Sequence, residues 1–406
     1  MIAALVLAAV ASVPREFTAL PLPAALQKAV AISPEVAQAR ERVNENAALL
    51  AAARGIAAPA LTVNYAAAPQ GGSANNTIEQ SLTTVGGAVT LGDYLAYQPA
   101  VREAQYTLAA AQFDLLDAAR AERLKAVGLY YGALKAAAAA DLREQDVAGA
   151  RSDLRAARLR FRAGDVPRLD VVRTQVALAN ALAAADAARV DLQNARSALA
   201  VETGVSEQAF GRVEAAQSDA VPAPDPQQAV ARALAQRGDL ASALQAVRAQ
   251  AAAVHLALRA VLPAITVSAG YTQGMDSGVF VRGPSANVNV SVPVSHSAAD
   301  RAKAERARLA QAQYKAAALK RQITVDVSAA ARTYQESSRA LQAARDARAA
   351  AQEELRATQI GYRSGASSSL DLADARRTYI QAAINELNAI YAQAQAAAAL
   401  EEEMGP

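Results

Sequence analysis

Cysteine is absent from all 406 residues. That excludes disulfides, thiolate metal sites, cysteine nucleophiles and a lipid-modified N-terminal cysteine. Tryptophan is absent too, and aromatic residues make up only 4%. Histidine occurs twice, at His255 and His296. A metal centre of the usual kind needs three or four converging ligands, so these two read as unrelated surface residues. Beyond the first dozen positions, no run of about 20 residues is both apolar and free of charge, so no membrane-crossing helix is expected. Lys and Arg exceed Asp and Glu by only three and are interspersed with them. No basic patch therefore argues for nucleic acid.

What is present is alanine. Hydrophobic residues reach 53%, and most of them are Ala, the best helix former and one with little side chain to bury. Such a composition favours long, closely packed helices over a thick globular core. At the start, Ile2 to Val10 is nearly all apolar and Ala9-Val10-Ala11 offers small residues at the spacing of a processing site. Residues 1–12 thus read as the remnant of a secretory signal, cleaved near Ala11 or Ser12.

The sequence repeats itself. Placing Phe161-Arg-Ala-Gly164 over Tyr362-Arg-Ser-Gly365 requires a shift of 201. The same shift sets Leu169-Asp170 on Leu370-Asp371, Leu199 on Leu400, Glu202 on Glu403, and Leu108 on Leu309. Nearer the start of each copy the shift becomes 204, matching Pro59-Ala60 to Pro263-Ala264 and Thr62-Val63 to Thr266-Val267. The change falls between the blocks, where a loop absorbs it. The expected organisation is repeat one over 13–205, a linker over 206–226 containing Val221-Pro-Ala-Pro-Asp-Pro226, and repeat two over 227–405.

Each repeat reads as helix, β-hairpin, helix. Ser33-Pro34-Glu35 is a helix start, with Ser as N-cap and Pro in the first turn. Leu61, Val63 and Tyr65 alternate with Thr62 and Asn64, then a polar loop precedes Val85, Gly87, Val89 and Leu91. That pattern predicts a hairpin over about 60–91. Its counterpart, over about 264–292, alternates Val267 with Thr266 and Ser268, and Val288 and Val290 with Asn287, Asn289 and Ser291. Long helices are predicted over about 97–163 and 298–363. Leu124, Val127, Tyr131 and Leu134 follow coiled-coil spacing. Glycine turns end both, and return helices are predicted over about 169–203 and 370–403. Four strands, apolar on one face and polar on the other, are too few to close a membrane barrel, which starts at about eight. Lipid does not tolerate open edges. The expected solution is an oligomer whose copies each contribute four strands.

In these features the chain resembles the TolC-like family of outer-membrane efflux proteins, over about Leu22 to Gly405. The resemblance rests on the repeat, the Pro-led strand after the second helix, and the aromatic-x-x-Gly then Leu-Asp turn seen twice. It implies a mainly α fold with a small β part: a homotrimer with a 12-stranded outer-membrane β-barrel joined to a long periplasmic α-helical barrel. It implies a periplasmic adaptor and an inner-membrane pump as partners, and no cofactor or enzymatic activity. Ser291-Val-Pro-Val294 and the short length look closest to the heavy-metal resistance branch; efflux of ordinary small molecules fits as well. A duct of a type I protein secretion system and a periplasmic coiled-coil adaptor are the competing functions. An adaptor would carry a lipoyl-like β-domain split by one helical hairpin, and no such segment is seen.

Candidate residues follow. Asp371 and Asp374, three apart, share a helix face. The resemblance places two acidic rings at this point on the second return helix, and threefold rings of carboxylates lining a pore select by charge. The competing reading is that both acids favour a helix start, where negative charge is stabilising. Tyr362 matches a family tyrosine that helps hold the constriction closed. The family's basic gating residue falls on Ser367 here, leaving Arg363 as the nearby cation. Repeat one has Asp170 but Arg173 at the matching positions, so a double acidic ring belongs to repeat two alone. The turns with Gly164, Asp165 and Asp170, and with Gly365 and Leu370, are the expected adaptor-docking tips. Val63, Tyr65, Val267, Val288 and Val290 are expected to face lipid.

Overall fold

The computed structural model describes residues 21–70, 78–205, 225–259, 262–276, 279–292 and 297–405. Residues 1–12, His296, the first hairpin's polar loop and most of the linker lie outside them. In chain order the elements are α1 (Leu22–Ile32), α2 (Pro34–Gly55), β1 (Ala60–Gln70), β2 (Ile78–Thr90), α3 (Leu91–Ala163) and α4 (Arg168–Thr203). Then follow α5 (Pro226–Gln236), α6 (Gly238–Arg259), β3 (Ala264–Asp276), β4 (Val279–Ser291), α7 (Ser297–Ser364) and α8 (Ser369–Met404). The order of α1 to α4 is repeated by α5 to α8, as the internal match of the sequence requires.

One boundary differs from expectation. Helix α3 starts at Leu91, directly after the last strand residue, rather than near 97, and Pro99 lies inside it. Leu91 continues the alternation of Val89, which made it look like strand. Asp93 lies in the first turn, where negative charge is favourable, and supports the earlier start. Pro99 removes only the one ladder hydrogen bond its missing N–H would have made.

The chain divides into two compact units. The first comprises Gln38–Leu116 and Gly238–Arg321 and contains the whole sheet. Its four strands pair antiparallel in the order β1-β2-β3-β4. Val63 lies opposite Val85, Val85 opposite Tyr271, Val267 opposite both Val89 and Val288, and Ile265 opposite Val290. Directly opposed residues share a face, so these form one apolar surface. Thr62, Asn64, Thr84, Thr266, Thr272, Ser285, Asn287 and Asn289 form the other. There, hydroxyls bond across strands: Thr84 Oγ1 to Thr272 Oγ1 at 2.8 Å, and Thr272 Oγ1 donating to Ser285 Oγ at 3.0 Å. The polar face also carries the directly paired Gly86 and Gly270. A side chain on Gly86 would meet the Ala269 carbonyl oxygen at 2.4 Å, and one on Gly270 the Val85 oxygen at 2.6 Å. Only glycine permits this close approach.

The second unit comprises Met1–Ala37, Asp117–Arg237 and Gln322–Pro406. Its core is thin and alanine-lined. In α3 the buried Ala140, Val147, Ala150, Leu154 and Ala157 follow coiled-coil spacing. In α7 buried Val327, Tyr334, Leu341, Leu355 and Tyr362 recur at sevens or a multiple of seven. Position 348 of that series is Arg, whose Nη1 pairs with Glu386 of α8 at 2.7 Å. Helix α1 packs on α4, α5 on α8, and α4 on α8. The repeat is visible in the packing: Ala25 and Ala29 of α1 are fully buried, and so are their counterparts Ala229 and Ala233 of α5, within 2%.

Candidate functional site

Both long helices end in the same way. Gly164 and Gly365 adopt left-handed backbone, with φ of 84° and 85°. This conformation turns the chain at the end of a helix and favours glycine. The Gly164 N–H bonds the Phe161 carbonyl at 3.1 Å, and the Gly365 N–H bonds the Tyr362 carbonyl at 3.3 Å. Asp165 and Ala366 then donate backbone N–H groups to the carbonyls of Arg160 and Gly361, at 2.9 and 2.8 Å.

After the turns the two hairpins diverge. Helix α8 begins with a capping box: the Asp371 N–H donates to Ser368 Oγ at 3.2 Å, and the Ser368 N–H donates to Asp371 Oδ2 at 2.8 Å. That backbone N–H, with the Ser368 side chain, holds the Asp371 carboxyl below the usual carboxylate range. Helix α4 begins with Pro167, which has no side chain to cap it. Asp170, the counterpart of Asp371, instead accepts a hydrogen bond from Ser369 Oγ at 2.7 Å. One aspartate closes its own helix, and its equivalent ties the first hairpin to the second.

Two further contacts join the hairpins. The Arg160 guanidinium stands 4.8 Å over the Tyr362 ring and donates from Nη1 to the Tyr362 carbonyl at 2.6 Å. Tyr362 itself is buried with Leu355, Leu372 and Ala375, against Tyr379. Burial pushes its hydroxyl pKa up, and Arg160 offsets part of that rise. Arg376 of α8 pairs with Asp153 of α3 at 2.6 Å. It lies where Gly149 has no side chain; a Cβ there would sit 1.9 Å from Arg376 Nη1.

Each candidate residue can now be placed. Asp371 and Asp374 are exposed and lie on one face of α8, and Asp374 pairs with Arg377 at 2.8 Å. Arg173 and Arg363 are exposed, and the cation that engages Tyr362 is Arg160 from the other hairpin. Ser367 tucks against Gly361 and donates its N–H to the Gly361 carbonyl. Phe161, Leu169 and Leu370 expose between 43% and 53% of their surface around the turns. The strand residues Val63, Tyr65, Val267, Val288 and Val290 are all more than half exposed, on the apolar face. His255 is exposed on α6. Sequence reading missed Arg160, Ser369 and the Asp153–Arg376 pair, because each spans two hairpins about 200 residues apart and leaves no local pattern.

Comparison with known proteins agrees with this architecture. Residues 229–406 match the model of the family described as outer membrane efflux protein. No curated protein sequence matches the chain. Among solved structures the chain is similar to CusC, at 16% identity with a TM-score of 0.83, over 96% of this chain and 93% of that one. It is similar to the Campylobacter jejuni CmeC outer membrane channel at 15% identity, with a TM-score of 0.81 over 95% and 85% of the two chains. The open state of the Neisseria gonorrhoeae MtrE outer membrane channel matches at 18% identity, with a TM-score of 0.77 over 97% and 93%. The fold is therefore the TolC-like one that the sequence resembles.

Proposed function

We propose, from the premise that residues 229–406 form an outer membrane efflux protein domain and that the whole chain has the TolC-like fold, that three copies build a channel in the bacterial outer membrane. Each copy gives four strands to a closed 12-stranded barrel. The long helices continue the duct into the periplasm, where an adaptor and an inner-membrane pump deliver small molecules or metal ions. The chain itself does no chemistry; it supplies a passive exit.

The observation that carries this reading is the sheet. It has strands of 11 or 13 residues, and about 9–11 suffice to cross a membrane as part of a barrel. One face is apolar and exposed, the other is lined with hydroxyls and amides, and β1 and β4 each leave one edge unpaired within the chain. Lipid demands that such edges be paired. Asp371 and Asp374 would line the constriction, Tyr362 would hold it closed from its buried position, and the turns at Gly164, Asp165, Asp170, Gly365 and Leu370 would meet the adaptor.

The absence of cysteine makes the test clean. Single variants Val63→Cys, Val267→Cys, Asn64→Cys and Thr266→Cys would be labelled in outer-membrane vesicles with a membrane-impermeant maleimide. The two asparagine and threonine positions should react from the water-filled lumen, and the two valine positions should react only after detergent is added. Mass measurement in detergent should give a trimer. Equal labelling of both faces, or only monomers, would overturn the proposal.

A further inference from the structure

The two repeats dock their first helix pairs with different chemistry. The shift of 201 sets Glu122 on Ile323 and Glu202 on Glu403, and the shift of 204 sets Ser33 on Arg237. Where α7 buries Ile323 completely, α3 buries a carboxyl: Glu122 is only 6% exposed. In repeat two, Glu403 meets Arg237 directly and Arg120 at 3.6 Å, and the adjacent Glu402 meets Arg123 at 2.9 Å. Those guanidinium groups keep their charge at any pH the protein meets.

Repeat one has no such balance. Around Glu122 stand Glu202 of α4, Glu35 of α2 and one cation, Lys125 of α3. The Lys125 ammonium lies 2.7 Å from Glu202 and 3.7 Å from Glu122. Ser33 Oγ lies 3.0 Å from both Glu122 Oε2 and Glu35 Oε2, and its single proton serves one of them at a time. Glu122 and Glu202 thus compete for the same Lys125 ammonium, and two charged carboxylates there would face a single charge between them.

The proton belongs on Glu122. Its burial, and then the Glu202 carboxyl beside it, raise its pKa above the ordinary 4.5. For Glu202, burial acts upward too, but Glu122 and Lys125 outweigh it and leave the value lowered. Glu35 is lowered by its own backbone N–H and by Ser33. A raised carboxyl contributes its full stability below its free value and loses it as pH rises through the folded value. The lowered pair behave oppositely: their contribution is present above the free value and is lost only on acidification.

We infer that the start of α2 is latched to α3 and α4 by a protonated Glu122, a pH-sensitive contact that repeat one has and repeat two lacks. When the proton leaves, two adjacent buried carboxylates share one ammonium, and the Ser33 end of α2 loosens. The inference rests on the cluster alone and does not depend on channel activity.

Hydrogen exchange on the full-length protein in detergent tests it. Protection factors, which divide out the intrinsic pH dependence of exchange, would be read at pH 4.5, the ordinary carboxyl value, and at pH 7. Amides of Val36 to Arg40 should lose protection at the higher pH, as Glu122 gives up its proton. Amides of Leu240 to Leu244, their counterparts in repeat two, should not change. Glu122→Gln should flatten the response, and so should Glu122→Ile, which installs the residue repeat two buries at this position. Equal protection of Val36 to Arg40 at the two pH values in the parent protein overturns the latch. So does a fall that persists in either variant that folds.

Discussion

The two repeats share an architecture and divide its chemistry. Their first helices bury the same alanines, their long helices end in the same left-handed glycine, and their return helices bury the same leucine in the last turns, Leu199 and Leu400. Yet charged positions differ in identity or in partner. Asp371 caps its own helix while Asp170 reaches across to Ser369. Asp374 has Arg173 as its counterpart, and Ile323 has Glu122. Apolar positions that set the helix packing have been held in common; polar positions, which do not decide the fold, have been free to specialise. Any asymmetry of function between the hairpins must therefore reside in a few charged residues.

That comparison can be broken at several points. The hairpin faces should prove interchangeable: Val63→Arg and Val267→Arg, at matching positions, should each destabilise membrane insertion by roughly 2–4 kcal/mol. Urea titration of the assembled protein in lipid would measure both. If one variant inserts as well as the parent, that strand does not face lipid. The acids, by contrast, should not be interchangeable. The Asp371→Asn, Asp374→Asn double variant should lose most of the cation preference of reconstituted channels, and Asp170→Asn much less. Reversal potentials under a salt gradient read this directly, and unchanged selectivity in the double variant would leave helix capping as the role of these acids.

Smaller effects sharpen the contrast between the turns. Ser368→Ala removes the cap of α8 and should cost about 1 kcal/mol, measured by denaturant midpoint. Gly164→Ala and Gly365→Ala should cost about 1 kcal/mol each, and equally, because both glycines hold the same left-handed backbone. Acid should act on one turn more than the other. Asp371 has a lowered pKa, so its capping contribution is present above its ordinary value of 3.8 and is lost as pH falls through the folded value. Exchange at the first turn of α8 should therefore rise in strong acid, and Asp371→Asn should remove that rise.

Much of the fold was legible because it is periodic. Alternation of Val63 and Tyr65 with Thr62 and Asn64 fixed a strand and its two faces, and the matched glycine turns marked where helices reverse. The start of α3 was misread because Leu91 satisfies both the strand's alternation and the helix's first turn; nothing local separates the two. The site was less legible. Asp371 and Asp374 could be singled out by their spacing, but Arg160 on Tyr362 and Arg376 on Asp153 depend on how one hairpin lies against the other. Glu122 gave no signal as one more acid in a charged helix, until burial set it beside Glu202.

The pairing of β2 with β3 bears on how the chain comes to be folded at all. Thr84 and Thr272 meet across that pair at a separation of 188 residues. Closing a flexible loop of that length costs about 5 kcal/mol in chain entropy, before any strand contact rewards it. Helices α3 and α4 lie within the loop and form from local contacts, which shortens the flexible part. The first hairpin must therefore wait, its β2 edge open, until nearly all of the second repeat's β3 has been delivered. A chain halted between the repeats would present a sticky, half-built sheet, which makes the interval between the hairpins the point in biogenesis most exposed to aggregation.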